Sequence, residues 1–435
     1  MQAKALPGFR DFYPSDLALR AHIFRTWRTV AARYGFEEYD GPPLEPLDLY
    51  TAKSGDEIVG QLYNFTDKGG RDVSLRPEMT PTLARMVAAR ANGLRKPIRW
   101  FSIPQLFRYE RQQRGRLREH FQLNCDLIGE AGPLADAEMI ALAVDVVRAF
   151  GLGPEDVRLR LSDRRLLTAI LAALELDEPR SAVVYQVLDK LARVPRAVSV
   201  ERLRDAAIPT ATIERLFALT EARSWDALRH APGAGLGAAL EVGSTLARTI
   251  DALDAMGLGA FVDLDLTIVR GLAYYTGTVF ELFDAKGELR AVCGGGRYDN
   301  LLRALGGVDL PALGFGMGDV VLGELLKDRG IAPGEHASVD VFLAGITEDD
   351  LVHVLALAHE LRDGGFRVEY ALSAQPVGKQ LKLADARRAR VAVVIGPDDR
   401  ARGEVVVKDL GGKTQRSIAR EQVAAAIAGV IGPPA

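Results

Sequence analysis

Two arginine-bearing segments contain the side chains of this chain that are best suited to chemistry. The first segment, FRYERQQRGRLREHFQ, spans residues 107–122, and the second, IVRGLAYYTGTVFE, spans residues 268–281. The first places five arginines within a short stretch, namely Arg108, Arg111, Arg114, Arg116 and Arg118. A guanidinium group offers a planar fork of donors that matches phosphate oxygens. The second sets Arg270 before Tyr274 and Tyr275, and paired tyrosines suit a small ring ligand with a polar edge. Together the segments predict chemistry on a nucleotide with a smaller second substrate.

A third candidate segment, LRPEMT at residues 75–80, has the composition of a junction between a strand and a helix. Pro77 is suited to the first helical turn, and Glu78 and Thr80 would then face the positive end of the helix. Two interpretations stay open for these side chains. They either cap the helix or provide a carboxylate that holds a substrate ammonium group.

The glycine-rich run and the histidines say less about function than the arginine segments do. The run GGGRYD at residues 294–299 lets backbone approach a ligand closely, and it predicts a break in the surrounding strand pattern. Neither GxGxxG after a strand nor GxxxxGK[ST] occurs, which argues against a dinucleotide fold and a P-loop. The six histidines form no metal-ligand motif, and we assign none of them a catalytic role. We therefore predict no metal held by protein side chains alone.

Composition sets broad limits on the class of protein. The chain has 435 residues, so two or three domains are expected. It is 48% hydrophobic and 26% charged with a net charge of -3, which is ordinary for a globular protein and excludes a generally basic nucleic-acid coat. No apolar run approaches the roughly 18 residues of a membrane span, and the N-terminal residues do not resemble a signal peptide. We therefore predict a cytosolic protein without a membrane segment, in which Cys125 and Cys293 are small buried hydrophobic residues.

The elements that must position the arginines can be predicted from periodicity. Residues 16–34 follow a helical pattern, and residues 98–108 and 119–128 have strand character on either side of the arginines. We predict a long antiparallel hairpin whose loop carries the arginine cluster. Further elements are predicted as a helix at 134–150, a strand at 157–162, strands within 262–283 and 288–293, and a strand passing into a helix at 310–327.

Two regions differ from this β-rich pattern. Residues 165–255 are rich in Ala, Leu and Arg and predict an all-helical insertion. The last hundred residues alternate strands and helices after a polar linker at 330–338, which predicts a small and mostly parallel sheet. Its strands are predicted at 339–346, 366–370, 391–395 and 405–410, and its helices at 350–363, 379–388 and 421–431.

The arginine segments and the N-terminal GFRDFYP together resemble the histidyl-tRNA synthetase family of class II aminoacyl-tRNA synthetases, over nearly the whole chain. The resemblance implies an α+β catalytic core, an antiparallel sheet flanked by helices, with a helical insertion and a C-terminal α/β anticodon-binding domain. The core would comprise residues 1–164 and 256–329, the insertion residues 165–255 and the anticodon-binding domain residues 338–435. The family works as a homodimer, with residues 37–50 near the interface.

The resemblance also implies roles for single residues. Arg108 and Arg270 would be catalytic, and Arg108, Glu110 and Arg116 would bind ATP. The histidine site would be formed by Glu78, Thr80, Gln122, Asp126, Arg270, Tyr274 and Tyr275. Glu78 and Thr80 would lie near the amino group, and Gln122 near the carboxylate. Asp126 and Tyr275 would contact the two nitrogens of the imidazole.

The sequence departs from the family pattern at several positions. Asp126 stands where Glu is frequent, Ala273 stands where Asp is frequent, and residues 119–122 read EHFQ where EFHQ is common. Val321 follows GFGMGDV at the position where the family's third motif usually has an arginine that binds the nucleotide. Another cation, from the arginine loop or from bound Mg²⁺, would have to substitute for that arginine.

The implied activity is the ATP-dependent ligation of L-histidine to tRNA-His through a histidyl-adenylate, with Mg²⁺ as cofactor. A second interpretation stays open, because the missing arginine is also expected in an inactive paralogue. Such a paralogue would sense histidine as the regulatory subunit of an ATP phosphoribosyltransferase. The presence of Arg108, Gln122 and Arg270 and of an anticodon-type domain favours the synthetase.

Overall fold

The computed structural model describes residues 4–51, 59–111, 115–191, 194–231, 236–269, 274–332 and 339–433. The chain divides into two compact units, Met1–Pro333 and Gly334–Ala435. Arg114, Arg270 and Ala273 lie outside the described residues.

The first unit combines strands with helices on both sides of a long sheet. Its described strands are β1 Glu37–Glu38, β2 Leu44–Pro46, β3 Tyr63–Thr66, β4 Asp72–Leu75, β5 Ile98–Ser102, β6 Gln105–Phe107, β7 Glu119–Ile128, β8 Val157–Asp163, β9 Val262–Leu264, β10 Thr278–Asp284, β11 Cys293–Arg297 and β12 Ala312–Gly318. Its described helices are α1 Pro14–Arg33, α2 Asp48–Thr51, α3 Thr80–Arg90, α4 Pro133–Arg148, α5 Arg164–Ala173, α6 Glu178–Lys190, α7 Arg196–Asp205, α8 Thr210–Thr220, α9 Trp225–Arg229, α10 Gly237–Val242, α11 Ser244–Ala255, α12 Leu301–Gly306 and α13 Asp319–Asp328.

Nine of the described strands form one sheet in the order β1-β5-β7-β12-β11-β10-β8-β9, with β6 paired to β7. The central pairs are antiparallel, whereas β1–β5 and β8–β9 are parallel. The predicted hairpin is confirmed, because β5 and β6 both pair antiparallel with β7. The arginine loop, residues 108–118, connects β6 to β7. A separate three-stranded sheet has the order β2-β4-β3.

The two faces of β7 serve different purposes because successive side chains of a strand point to opposite sides. Leu123, Cys125 and Leu127 lie in the main hydrophobic core together with Trp27 of α1 and Ile140 of α4. The intervening residues of β7 therefore point away from these two helices. Gln122 and Asp126 are among them, so the face opposite α1 and α4 is the one available for a binding site.

The predicted break at the three glycines is wrong, because Gly294, Gly295 and Gly296 lie inside β11. Glycine has a low strand propensity, but packing overrides it here. A Cβ on Gly295 would collide with the backbone oxygen of Gly314 and lie 2.6 Å from Cβ of Phe315. The glycines are needed because neighbouring strands and side chains leave no room for a side chain.

Two other local predictions need correction. The segment 262–283 is not continuous strand, since β9 ends at Leu264 and β10 begins at Thr278. Pro77 does not occupy the first helical turn, because α3 begins at Thr80 and its proline near the start is Pro81. Glu78 therefore precedes the helix instead of lying in its first turn.

The predicted helical region is present as α5 to α11, between Arg164 and Ala255. Asp163 caps α5 by accepting hydrogen bonds from the backbone of Arg165 and Leu166. Buried residues of this region, such as Leu167 and Leu246, belong to the same hydrophobic core as the sheet. The region therefore packs directly on the β-rich part of the unit.

The second unit has its own sheet and core. Its elements are β13 Val341–Gly345, α14 Leu351–Asp363, β14 Val368–Tyr370, α15 Val377–Ala386, β15 Val391–Ile395, α16 Pro397–Ala401, β16 Glu404–Asp409, β17 Thr414–Ala419 and α17 Val423–Ile431. In the order β14-β13-β15-β16-β17, the first two pairings are parallel and the last two antiparallel. The prediction of a mostly parallel sheet is thus right only for three strands, and β17, which is exposed and polar, was not predicted.

Candidate active site

A floor of glycines underlies the candidate site. Gly314 and Gly316 of β12 lie opposite Asp126 and Asn124 of β7. A Cβ on Gly316 would lie 2.5 Å from Nε2 of Gln122, and one on Gly314 would collide with the carboxylate of Asp126. The absence of side chains on β12 therefore lets the polar side chains of β7 lie across the sheet.

Asp126 and Tyr298 form the buried polar end of this site. The Tyr298 hydroxyl donates a hydrogen bond to Oδ1 of Asp126. Burial raises the pKa of Asp126 to about 7, although the hydrogen bond from Tyr298 opposes that rise. Tyr39 is half-buried nearby with a buried hydroxyl, and burial with the charge of Asp126 raises the pKa of Tyr39. This end can exchange a proton near neutral pH, which suits an imidazole ligand.

The two tyrosines of the second segment lie over the glycine floor, beside this end. The Tyr275 ring is buried, and a Cβ on Gly296 would lie 2.9 Å from its Cδ1. The Tyr274 and Tyr275 ring centroids are 5.1 Å apart, and the Tyr274 ring is 6.0 Å from that of Tyr298 in an edge-on arrangement. The three rings form an aromatic wall.

Glu78 is a buried carboxylate beside that wall. The Tyr274 hydroxyl donates to its Oε2 at 3.3 Å, and its Oε1 has no hydrogen-bond partner among the described residues. Burial raises the pKa of Glu78, while the charge of Arg108 and the hydrogen bond from Tyr274 lower it. A buried carboxylate oxygen without a partner is costly, so it is suited to a cationic ligand. Thr80 is half-buried at the start of α3.

A buried arginine, Arg76, holds the segment around Glu78 in place. Arg76 donates from Nη1 to Asp40 at 2.8 Å and to the Gly41 oxygen at 2.7 Å. Its Nε donates to the Gln105 oxygen at 3.1 Å. Arg76 thereby ties the segment before Glu78 to the strand that precedes Arg108.

Arg108 stands just after β6, at the border of the site. Its Nε donates to the Pro77 oxygen at 2.8 Å, and its backbone nitrogen donates to the Arg118 oxygen at 2.9 Å. Burial, together with the charges of Arg108 and Arg10, lowers the pKa of His120 to about 3. His120 is therefore neutral at physiological pH and adds no charge to the site.

The arginine loop beyond Arg108 is held by internal contacts. Arg116 forms a salt bridge with the buried Glu110, with Nη2 donating to Oε1 at 3.0 Å. Arg118 lies 4.1 Å from the Tyr109 ring centroid and donates to the Glu110 oxygen at 3.3 Å. Of the three predicted ATP-binding residues, Arg108 lies beside Glu78, and Glu110 and Arg116 pair with each other in the same loop.

The start of α13 closes the same end of the site. Asp319 accepts hydrogen bonds from Arg10 at 2.9 Å and from the Phe121 backbone at 2.8 Å. Val321 is buried, and a Cβ on Gly115 would lie 3.3 Å from its Cγ2. An apolar side chain therefore faces the arginine loop at the position where the resemblance predicted an arginine.

The structure places most of the predicted site on one face of the sheet. Gln122, Asp126, Tyr274 and Tyr275 lie over the glycine floor, with Glu78 against Tyr274 and Arg108 beside Glu78. The predicted residue Arg270 is outside the described part of the chain. Sequence reasoning missed Tyr298, Tyr39 and Arg76, although the weak GGGRYD motif contains Tyr298.

Among the residues that the structure describes, no group of three or more His, Cys, Asp or Glu side chains could hold a metal ion. Within the same residues, no helix has the length and apolar character needed to cross a membrane.

Comparisons with known proteins give consistent matches over nearly the whole chain. The family model for histidyl-tRNA synthetase matches residues 8–318, and that for an anticodon-binding domain matches residues 340–429. A relative from Opitutus terrae named histidine–tRNA ligase is 49% identical, over 98% of each chain. An Arabidopsis thaliana relative, named as the chloroplastic/mitochondrial histidine–tRNA ligase, is 39% identical over 94% of this chain and 83% of its own length. The crystal structure of histidyl-tRNA synthetase from Nostoc superposes with a TM-score of 0.85, at 25% identity over 99% of each chain.

Proposed function

The chain belongs to the histidyl-tRNA synthetase family, and we propose that it ligates L-histidine to tRNA-His, with ATP as the energy source. One observation carries the proposal. An aromatic wall with a buried carboxylate at each end, Glu78 and Asp126, lies over the glycine floor, and Arg108 is beside it. Histidine has an ammonium group and an imidazole that would fill those two ends.

In this proposal histidine is recognised at three points. Oε1 of Glu78 accepts a hydrogen bond from the α-ammonium group, and Thr80 lies close by at the helix start. Asp126 and Tyr275 contact the two imidazole nitrogens, with Tyr298 orienting the Asp126 carboxylate. Gln122 donates to the histidine carboxylate from across Gly316. Analogues without a polar ring would leave Asp126 unpaired, and hydrogen-bonding sites reject such ligands by as much as ~10⁴-fold.

Adenylate formation needs alignment and charge stabilisation rather than a base. The histidine carboxylate is already anionic and attacks the α-phosphorus of ATP, and pyrophosphate leaves. We propose that Arg108 and Arg270 bind the α-phosphate oxygens and stabilise the charge that develops there. Glu110 and Arg116 would then lie at the nucleotide end of the site, where their salt bridge fixes the two side chains relative to each other. His120 is uncharged, because burial lowers its pKa.

Mg²⁺ is part of the proposal as a partner of the nucleotide. Mg²⁺ is commonly held by substrate phosphates and one or two carboxylates rather than by a protein cage. The described residues contain no cage of that kind, and Glu281 of β10, opposite Gly294 in the sheet, would be a carboxylate to complete the ligand set. When bound, the ion would neutralise charge on the leaving pyrophosphate.

The second step would transfer histidine to the terminal ribose of tRNA. The unit Gly334–Ala435 would bind the anticodon end, and the helical region 165–255 would act as an insertion domain that contacts the acceptor stem. The second unit contains a cavity of about 580 Å³ at the ends of β13 and β14. Tyr370 and Gln375 are among its lining residues, and such groups can stack on and hydrogen-bond unpaired bases.

We further propose, on the family resemblance, that the protein acts as a homodimer in the cytoplasm. The domain limits proposed are residues 1–164 with 256–329 for the catalytic core and 338–435 for the anticodon-binding domain. Residues 37–50 would lie near the dimer interface, and Leu44 in this segment is exposed in the single chain.

The alternative of a regulatory subunit of ATP phosphoribosyltransferase rests on Val321 in place of an arginine. It is disfavoured because the relatives named histidine–tRNA ligase match almost the full chain. The match includes an anticodon-binding domain, which a histidine sensor does not need.

Histidine-dependent exchange between ATP and pyrophosphate tests the proposal. The purified protein should catalyse the exchange, and Arg270→Ala should lose at least about 100-fold in rate while still binding histidine. A protein that binds histidine but shows no exchange with Mg²⁺ present would overturn the synthetase and support the regulatory alternative.

A further inference from the structure

The first turn of α13, at the nucleotide end of the site, carries no cationic side chain, and Val321 there is apolar and buried. A triphosphate carries several negative charges, and fixed cations are the usual means of binding it. The inference below rests on the proposed function, because it concerns which side chain supplies that charge. The candidates are the arginines that surround Gly115 and the start of α13.

Two of the nearby arginines are already committed to carboxylates. Arg10 donates to Glu119 at 2.6 Å and to Asp319 at 2.9 Å. Arg116 forms a salt bridge with the buried Glu110. The two carboxylates that Arg10 contacts, those of Glu119 and Asp319, are buried. Moving the Arg10 guanidinium to a phosphate would therefore leave two buried charges unpaired.

Arg290 is a different case. Its side chain is exposed, and it forms no salt bridge or hydrogen bond with any described residue. Its Cδ lies 3.9 Å from the position that a Cβ on Gly115 would occupy, and Cγ2 of Val321 lies 3.3 Å from the same point. The stem of Arg290 thus lies beside the arginine loop and the start of α13.

The backbone near Arg290 is fixed to the sheet. Leu289 packs against the main hydrophobic core, and the Val292 oxygen accepts a hydrogen bond from the Gly318 nitrogen at 3.3 Å. Gly318 is the last residue of β12 and directly precedes α13. Arg290 is therefore carried by an anchored segment, while its guanidinium has no competing protein partner in the described chain.

We propose that Arg290 binds the β- and γ-phosphates of ATP and supplies the charge that α13 does not provide. The guanidinium would reach over Gly115 toward the phosphates whose other side is held by the arginine loop. In the product state Arg290 would contact the pyrophosphate until this product dissociates. It would not contact the adenylate, because the adenylate lacks the β- and γ-phosphates. The rival candidate is Arg111, which is also exposed but lies next to the end of the described part of the loop.

The test compares Arg290→Ala, Arg290→Gln and Arg111→Ala with the wild type in the exchange assay. Removing a charge-assisted contact to phosphate is expected to raise the KM for ATP and for pyrophosphate by about 10- to 100-fold in both Arg290 variants. The KM for histidine should stay within about twofold of the wild type. Thermal melting should be unchanged, because the side chain is exposed and unpaired.

A second measurement separates the phosphates from the rest of the nucleotide. A stable histidyl-adenylate analogue with a sulfamoyl linkage has no β- or γ-phosphate, so the Arg290 variants should bind it as the wild type does. Equal weakening for ATP and for the analogue would overturn the assignment, as would a loss seen in Arg111→Ala but not in the Arg290 variants. An active wild type with unaffected Arg290 variants would refute this inference alone, whereas an inactive wild type would refute the proposed function.

Discussion

The Tyr298 hydroxyl donates a hydrogen bond to the Asp126 carboxylate, although the two residues are 172 positions apart in the sequence. Both side chains are buried, and the pairing of β7 with β12 and of β12 with β11 brings their segments together. Burial raises the pKa of Asp126 to about 7, which is close to that of a free imidazole. The pair therefore places an acid of matched proton affinity where a histidine side chain would bind.

Asp126→Asn should alter how stability depends on pH. In the folded wild type Asp126 keeps its proton up to about pH 7, whereas the ordinary carboxyl pKa is 3.8. The folded state holds the extra proton in that window, so this group lowers the free energy of unfolding as the pH rises from about 4 to 7. The contribution of Asp126 to the free energy of unfolding therefore changes by at most about 1.4 kcal/mol per pH unit. Urea denaturation of the variant between pH 5 and 7.5 should show a flatter profile than the wild type.

Tyr298→Phe is the matched control for this experiment. The hydrogen bond from the Tyr298 hydroxyl lowers the pKa of Asp126. Without that hydroxyl, Asp126 should keep its proton to a higher pH, and the loss of stability should extend to that higher pH. Unchanged profiles in both variants would contradict a buried acid at this position. The KM for histidine should rise in Asp126→Asn by about 10-fold or more, while the KM for ATP should not.

Glu78→Gln should separate binding from stability. Oε1 of Glu78 is buried without a described partner, and Arg108 is the nearby charge that favours its ionised form. Removing the charge should raise the KM for histidine by about 100-fold, since a charged contact to the ammonium group is lost. The melting temperature should not fall, because a buried carboxylate is costly in the unliganded protein.

The control for Glu78 is Glu288→Gln, which alters an exposed glutamate. Isothermal titration with histidine and melting curves of both variants would provide the measurements. Glu78→Gln with normal histidine affinity would contradict a role for this carboxylate in binding the ammonium group.

Three glycine variants should have distinct effects. A Cβ on Gly316 would lie 2.5 Å from Nε2 of Gln122, which is the far end of a flexible side chain and can move. Gly316→Ala should therefore fold but lose about 10-fold or more in exchange activity. A Cβ on Gly295 would meet the backbone of Gly314, so Gly295→Ala should lose stability by about 1–3 kcal/mol.

Gly318→Ala is the control for these two, because nothing lies within 4 Å of its added Cβ. Denaturant midpoints and exchange rates of the three variants would be compared. Gly316→Ala with full activity would mean that the position of Gln122 over the floor is not needed for adenylate formation.

The sequence predicts elements where local pattern and tertiary packing agree. The hairpin around the arginine loop follows from apolar strands on both sides, and β7 indeed extends from Glu119 to Ile128. The glycines of β11 were misplaced because propensity treats glycine as a breaker, whereas the space between strands requires it. Tyr298 was missed because its partner Asp126 is distant in the chain, and no periodicity reports such a contact.

Residue types alone identify several side chains of the site, but they do not identify the hydrogen bonds that position those side chains. The tyrosine pair and Arg108 were found because ring and guanidinium chemistry can be read from a short segment. The positioning role of Arg76 depends on Asp40, Gly41 and Gln105, which come from three different segments. Only the fold shows that these groups surround one guanidinium.

Deleting residues 331–435 should separate the two chemical steps. The first unit contains its own hydrophobic core, which extends along the chain to Leu326, and the second unit has another core that begins at Val341. The residues proposed for adenylate formation all belong to the first unit. The truncated protein should therefore retain histidine-dependent exchange within about 10-fold of the full chain.

Aminoacylation should respond differently to the same deletion, because the second unit is the proposed anticodon-binding domain. The kcat/KM for tRNA should fall by at least about 100-fold, with most of the loss in KM, since binding energy from the anticodon end is removed. Initial rates with purified tRNA at several concentrations would measure this ratio. Equal loss of exchange and aminoacylation in a truncated protein with a normal melting transition would contradict the division of labour, because the second unit would then be needed for adenylate formation as well.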